Sequence, residues 1–288
     1  MMVGKKKHAN SGPVGNIMSN NVETVKDPIG EINAFQHYRG RVSLAKVTPT
    51  ALDLENYNAA EEACASRAIK VQAGGKDKAK ITLDMGKCFL CGRCQEIAPD
   101  LFKVESAFAT PEKKREELVE SLGQIVPAGE SFEGIGKELK EKVGKILCRS
   151  LAVREVDAGS CNGCEVEITA LNNPVYDIER FGVHFVASPR HADVLLVTGP
   201  ASRNMEVALK RTYEATPDPK VVVAVGACGC SGGIFGDTYA TTGGIEKVVP
   251  VDVYIPGCPP RPEAILYGLL LAVDRIQQKR DLDKVKWA

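Results

Sequence analysis

The sequence predicts an α/β protein: an open, mostly parallel sheet with helices in its second half, preceded by a small α+β unit. Three observations carry this. Residues 193–199 (Asp-Val-Leu-Leu-Val-Thr-Gly) and 220–226 (Lys-Val-Val-Val-Ala-Val-Gly) are short apolar runs ending at glycine. Such runs suit strands buried on both faces of a parallel sheet. Between them, residues 204–215 have helical composition and spacing and are stopped by Pro217, so strand and helix alternate. The first half instead carries the more polar strand candidates 41–47 and 80–83 and four motif-spaced cysteines, a separate small unit.

In chain order, residues 1–40 hold few apolar side chains and read as an extended docking arm or as disorder. Residues 41–110 form the small α+β unit, with strands expected at 41–47 (Arg-Val-Ser-Leu-Ala-Lys-Val) and 80–83 (Lys-Ile-Thr-Leu). Residues 111–149 are rich in lysine and glutamate. They read as a helical connector on the surface, two short helices broken by Pro127-Ala-Gly-Glu-Ser. From residue 150 to 288 runs the sheet unit. A further strand is expected at 252–256 and a terminal helix at 262–278, which opens on a proline as helices tolerate. Open sheets bind ligands beyond the carboxyl ends of their strands. Two cysteine-bearing loops fall there, Gly226-Ala-Cys-Gly-Cys and Pro256-Gly-Cys-Pro-Pro.

Composition narrows the function. Apolar residues make up 44% and charged residues 26% of the 288, with 37 basic and 37 acidic side chains. This is an ordinary globular balance, and zero net charge removes the electrostatic case for nucleic-acid binding. Lys5-Lys6-Lys7-His8 reads as a solvated tail. Met1 is followed by a polar, basic stretch with no apolar core, so no signal peptide is expected. The longest apolar stretch, 264–273, falls short of the roughly 20 residues that span a bilayer. A cytoplasmic protein is expected, in which ten cysteines favour metal or cluster ligation over disulfides.

Four of those cysteines surround a missing one. Cys88, Cys91 and Cys94 lie in Cys-Phe-Leu-Cys-Gly-Arg-Cys-Gln-Glu-Ile-Ala-Pro, which resembles the bacterial ferredoxin run C-x2-C-x2-C-x3-C-P. In that run the fourth cysteine serves the other cluster of a two-cluster protein. Here Ala98 stands in its place, before Pro99. Upstream, Cys64-Ala-Ser-Arg-Ala-Ile resembles the end of a first repeat, and the same spacing counted back meets Leu54, Tyr57 and Ala60 instead of cysteines. One repeat kept only the ligand that serves the second cluster, and the other lost only the ligand that served the first. One cluster held by Cys64, Cys88, Cys91 and Cys94 is expected. A structural zinc site is the alternative, although it does not account for the paired losses.

Six cysteines remain: Cys148, Cys161, Cys164, Cys228, Cys230 and Cys258. Cys161 and Cys164 form a tight C-x2-C pair, and glycines at 226, 229, 232 and 233 would let the backbone approach a bulky inorganic core. Residues 150–280 resemble the small, electron-transferring subunit of membrane-bound group 4 [NiFe] hydrogenases, a family that includes the terminal-cluster subunit of respiratory complex I. The resemblance rests on four stretches. These are Val156-Asp-Ala-Gly-Ser-Cys-Asn-Gly-Cys-Glu-Val-Glu, Ser188-Pro-Arg-His-Ala-Asp-Val-Leu-Leu-Val-Thr-Gly, Gly226-Ala-Cys-Gly-Cys-Ser-Gly-Gly and Val251-Asp-Val-Tyr-Ile-Pro-Gly-Cys-Pro-Pro-Arg-Pro.

The resemblance implies a flavodoxin-like sheet and a proximal [4Fe–4S] cluster on Cys161, Cys164, Cys228 and Cys258, hence two [4Fe–4S] clusters in all. It implies electron relay from a low-potential donor, through both clusters, to a nickel–iron large subunit that reduces protons. The implied partners are that large subunit, a ferredoxin or polyferredoxin-like donor and antiporter-like integral membrane subunits, with this chain peripheral on the cytoplasmic side. Asn162 and Gly163 separate the first two ligands, as in the hydrogenase branch and the related sulfane reductase; the complex I branch has adjacent cysteines. A complex I-like quinone or sulfane oxidoreductase is the alternative, and a zinc-holding assembly protein is the alternative of another class.

Cys230 competes with Cys228 for one loop position, and Cys148 reads as a buried free thiol. Glu165 and Glu167 read as solvated or salt-bridged carboxylates, with potential tuning or proton transfer as the other reading. His191 reads as a packing or capping side chain, and Arg261 is a candidate donor to a cluster sulfide. No P-loop, dinucleotide fingerprint or nucleophile–base pair is present, so no bond chemistry on an organic substrate is expected.

Overall fold

The computed structural model describes residues 38–45, 54–74, 78–121 and 131–286. Most of the expected docking arm, including the Lys5–His8 run, lies outside the described residues. The first unit comprises β1 (Arg41–Leu44), α1 (Leu54–Glu62), β2 (Ile69–Gly74), β3 (Lys78–Asp84), α2 (Arg93–Ile97), β4 (Phe102–Glu105) and β5 (Val119–Ser121). β1 pairs antiparallel with β4, placing Val42 opposite Val104. β2, β3 and β5 make a second antiparallel sheet, with Ile69 opposite Leu83. Along β3, Ile81 and Leu83 are buried while Thr82 is only partly so, the period-two signature of a one-sided strand. They share a core with Val42, Tyr57, Ile69, Leu101 and Phe102.

The stretch read as two surface helices is built differently. Its first part is a 3-10 turn, Arg115–Leu118, followed by β5, which hydrogen-bonds to β3. Its second part is one long helix, α3 (Phe132–Leu147), capped by the Ser131 hydroxyl, which accepts from the Gly134 N–H at 3.2 Å. Phe132, Ile135, Leu139, Val143 and Leu147 recur every three or four residues and are all buried. That stripe covers one face of the large sheet, so α3 is a core element and not a surface connector.

The second unit follows as β6 (Leu151–Asp157), α4 (Gly163–Ala170), β7 (Val183–Phe185), β8 (Val194–Thr198), α5 (Arg203–Ala215), β9 (Val221–Val225), α6 (Gly226–Ser231), β10 (Val253–Ile255) and α7 (Pro262–Lys286). The strand order is β7-β6-β8-β9-β10, all parallel. Counted within the unit this is 2-1-3-4-5, the flavodoxin-like doubly wound order, whose switch point lies between β6 and β8. Every residue of β8 and β9 is buried. Val194 and Leu196 face the side covered by α3 and α7, while Leu195 and Val197 face the side where Leu209 of α5 packs. β6 and β7 were not expected. Arg154 and Glu155 interrupt the apolar run of β6, although its pairing with both β7 and β8 makes it an interior strand of the sheet.

The units meet at the β10 side of this sheet. Glu112 and Tyr254 exchange backbone hydrogen bonds of 2.9 and 2.8 Å. Arg261 donates to the Ser106 carbonyl at 3.4 Å, and its guanidinium lies 4.8 Å from the Tyr38 ring centre.

Candidate metal centres

Cys64 follows α1, Cys88 and Cys91 lie in the loop after β3, and Cys94 sits in α2. All four line one cavity, with Ala60, Val42 and Leu83 among its apolar walls. Leu90 and Gly92 adopt φ of 60° and 80°, which curls the loop around this cavity. The N–H of Ala68 points at the Cys64 sulfur (3.3 Å) and that of Leu90 at the Cys88 sulfur (3.4 Å). Arg39 donates to the Cys91 carbonyl. Burial pushes the Cys88 thiol up to about 12 and the Cys94 thiol up to about 11, with the neighbouring cysteines adding to the rise. Such thiols give up their protons only to a positively charged body that replaces the lost hydration.

The positions of the missing cysteines are occupied by packing. Tyr57, Ala60 and Ala98 are 2%, 1% and 3% exposed and belong to the unit's core. The first two lie on one face of α1.

The second set comes from three loops beyond the carboxyl ends of strands. Cys161 and Cys164 follow β6, Cys228 lies in α6 directly after β9, and Cys258 follows β10. Cys161 and Cys258 are exposed; Cys164 and Cys228 are half-buried. Burial raises the Cys228 thiol to about 11, with Cys258 and Cys161 contributing. It also raises Cys164, which feels Glu165, Cys228, Cys258 and Cys161 in turn. Two glycines make this gathering possible. At Gly226 (φ 79°) a Cβ would stand 2.7 Å from the Cys164 sulfur, and at Gly233 (φ 55°) 3.0 Å from the Cys228 sulfur. The Ala227 N–H donates to the Gly257 carbonyl at 2.7 Å, tying the Cys228 and Cys258 loops together.

The structure therefore brings the eight expected residues together in two sets of four. Among the described residues, no three His, Cys, Asp or Glu side chains converge as ligands of a single metal ion.

Cys230 points elsewhere: it is 4% exposed, and its thiol lies 3.6 Å from the Ile255 carbonyl inside the second core. Cys148 is exposed and not buried, because it caps α3 with φ 56°. His191 is exposed at the end of a 3-10 turn, where Ser188 does the capping. Glu165 is not a solvated carboxylate. One oxygen accepts from the buried Thr198 hydroxyl, and the other is buried without a partner. Glu167 is half-buried and raised by that burial and by Glu263. Arg261 is engaged by Glu263, at 2.9 Å, in a pair almost sealed from solvent. Glu263 escaped the sequence reading; its signal was an acid in the first turn of a helix that starts four residues after Cys258.

The family described as NADH ubiquinone oxidoreductase, 20 kDa subunit, matches residues 161–272. Formate hydrogenlyase subunit 7 of Escherichia coli K12 is 52% identical over 141 residues, covering 49% of this chain and 55% of that one. This chain thus spans about half the length of that relative. The probable membrane-bound hydrogenase subunit mbhJ of Pyrococcus furiosus is 50% identical over 143 residues, 49% of this chain and 86% of its own. An NADH-quinone oxidoreductase subunit of Citrifermentans bemidjiense is 52% identical over 118 residues, 41% of this chain and 69% of that one. With most of two such relatives covered at about half identity, the chain belongs to the NADH ubiquinone oxidoreductase 20 kDa subunit family, a family of oxidoreductase-complex subunits.

Proposed function

We propose that this chain is the electron-transferring subunit of a multisubunit, membrane-associated hydrogenase complex. Cys64, Cys88, Cys91 and Cys94 would hold one [4Fe–4S] cluster, and Cys161, Cys164, Cys228 and Cys258 a second. The observation that carries this reading is the grouping of eight thiols into two sets of four, one around a cavity and one beyond three strand ends. Clusters of this kind supply one-electron uptake and release. The chain's own residues do the rest. Gly226 and Gly233 admit a bulky group beside Cys164 and Cys228. The Ala68 and Leu90 N–H groups donate to ligand sulfurs and so favour the more negative state. Exposed Cys161 and Cys258 leave the second site open to a partner surface.

That partner is a nickel–iron large subunit, and the donor is a ferredoxin or polyferredoxin-like protein. Among the described residues no helix is long and apolar enough to cross a membrane. The chain would sit peripherally on the cytoplasmic face, held through antiporter-like membrane subunits. Similarity to the two hydrogenase-complex subunits supports this reading. A second reading, a complex I-like quinone oxidoreductase, is favoured by the 52% identity to the NADH-quinone oxidoreductase relative; the Asn162–Gly163 spacer argues for the first.

The test is anaerobic purification, iron assay and hydrogen evolution by the assembled complex with a reduced low-potential dye. About eight irons per chain and hydrogen evolution are expected. Iron near four, or stoichiometric zinc, refutes the two-cluster assignment. Quinone or polysulfide reduction without hydrogen moves the chain to a complex I-like or sulfane-reducing assembly.

A further inference from the structure

The two cysteine sites belong to different units, yet one side chain ties their supporting loops together. Arg115 donates from its terminal nitrogen to the Asp84 carboxylate at 2.8 Å, and from Nε to the Cys230 carbonyl at 3.0 Å. Asp84 closes β3 and accepts, through its own carbonyl, the Cys88 N–H at 3.2 Å. Cys230 lies in α6, two residues after Cys228. The Ser231 hydroxyl adds a second tie to the Gly86 carbonyl at 2.7 Å while also engaging Ala227 at 3.0 Å. Gly86 is shaped for this contact: a Cβ there would meet the Arg115 guanidinium at 2.7 Å. The ion pair is mostly buried, 16% exposed at Arg115 and 15% at Asp84. A planar guanidinium reaches a carboxylate and a carbonyl from two separate nitrogens held in one rigid fork, whereas a lysine must serve both from a single mobile ammonium.

We infer that Arg115, with Ser231, is a clamp that locks the Cys88 loop against the Cys228 helix and so fixes the separation of the two cysteine sites. The inference rests on the proposed function only for the purpose of that separation. Electron passage between two sites falls steeply with distance, so a chain that carries both on separate units needs them held at one spacing. The family match begins at residue 161, and Asp84, Gly86 and Arg115 lie outside it. The clamp therefore joins the part of this chain that precedes the matched residues to Cys230 and Ser231 within them.

The experiment compares the full chain with Arg115→Ala, Arg115→Lys and Ser231→Ala, each loaded anaerobically with iron and sulfide. Hydrogen–deuterium exchange reads the clamp directly. Amides of residues 84–88 and 228–233 should exchange about tenfold faster in Arg115→Ala, as loss of a buried charge-assisted bond implies. Arg115→Lys and Ser231→Ala should fall between. Electron paramagnetic resonance of the dithionite-reduced chain reads the separation. Magnetic coupling between the two reduced centres should weaken in Arg115→Ala while each centre's own signal and the iron content stay at wild-type values. Unchanged exchange at both segments, or unchanged coupling in a fully iron-loaded Arg115→Ala chain, overturns the inference. If wild type takes up no iron, the two-cluster proposal fails, and exchange still decides the clamp. If Arg115→Ala does not fold, Ser231→Ala decides between the same two outcomes.

Discussion

Gly226→Ala tests the second site with the smallest possible change. The added Cβ would stand 2.7 Å from the Cys164 sulfur. Ordinary contacts of this kind begin near 3.4 Å, so the sulfur must retreat by about 0.7 Å (3.4 − 2.7). The other neighbours, Gly257 O at 3.5 Å and Pro260 Cδ at 3.9 Å, are not crowded, so the strain falls on the Cys164 sulfur. A left-handed backbone at φ 79° adds roughly 1–2 kcal/mol for an alanine. The fold should survive, since domains hold about 5–15 kcal/mol, but the four thiols no longer converge. The expected result is a modest fall in melting temperature, loss of about four of about eight irons and a matching loss of absorbance near 400 nm. Gly144→Ala is the control. Nothing lies within 4 Å of its Cβ, it is exposed within α3, and the change should stabilise by about 0.5–1 kcal/mol with iron unchanged. Full iron and an unaltered spectrum in Gly226→Ala would refute the packing of this glycine against a ligand.

Three further outcomes are expected. Cys64→Ser should remove or alter the paramagnetic signal of the first centre and leave the second intact; two unchanged signals would refute the paired-loss reading of the repeats. Cys228→Ala should halve the iron, whereas Cys230→Ala should keep it and lower stability by about 1 kcal/mol as a core truncation, both read by iron assay and thermal melting. Burial, with Glu117 nearby, raises the Glu112 carboxyl to about 7. The folded state then binds more protons than the unfolded one, so stability should fall as pH rises from about 4.5 to about 7. Because Glu112 remains partly exposed, the slope stays below that of one full proton. Glu112→Gln should flatten it in denaturant titrations across that window.

How much was legible in the sequence follows from what each residue needed. β8 and β9 announced themselves because every side chain is buried on both faces, so their apolar runs are unbroken. β6 did not, since Arg154 and Glu155 sit in the middle of this interior strand. α3 was misplaced for a related reason. Its seven charged residues, Glu133, Lys137, Glu138, Lys140, Glu141, Lys142 and Lys145, outnumber the five of the stripe that packs, and composition records them without the partner. The 3-10 turn and β5 looked helical because a lysine- and glutamate-rich run carries no trace of the strand it will pair with.

The eight cysteines, their spacing and the glycines beside them were set by local sequence, because a ligand loop must supply its donors and its backbone freedom within a few residues. Which thiol of a close pair faces the site was decided by the fold. α6 begins at Gly226, so Cys228 and Cys230 fall on different sides of a helix, one toward Cys164 and Cys258 and one into the core. Long-range partners were beyond the sequence for the same reason. Arg115 meets Asp84 and Cys230 across separations of 31 and 115 residues, and such contacts exist only once two sheets have been packed side by side.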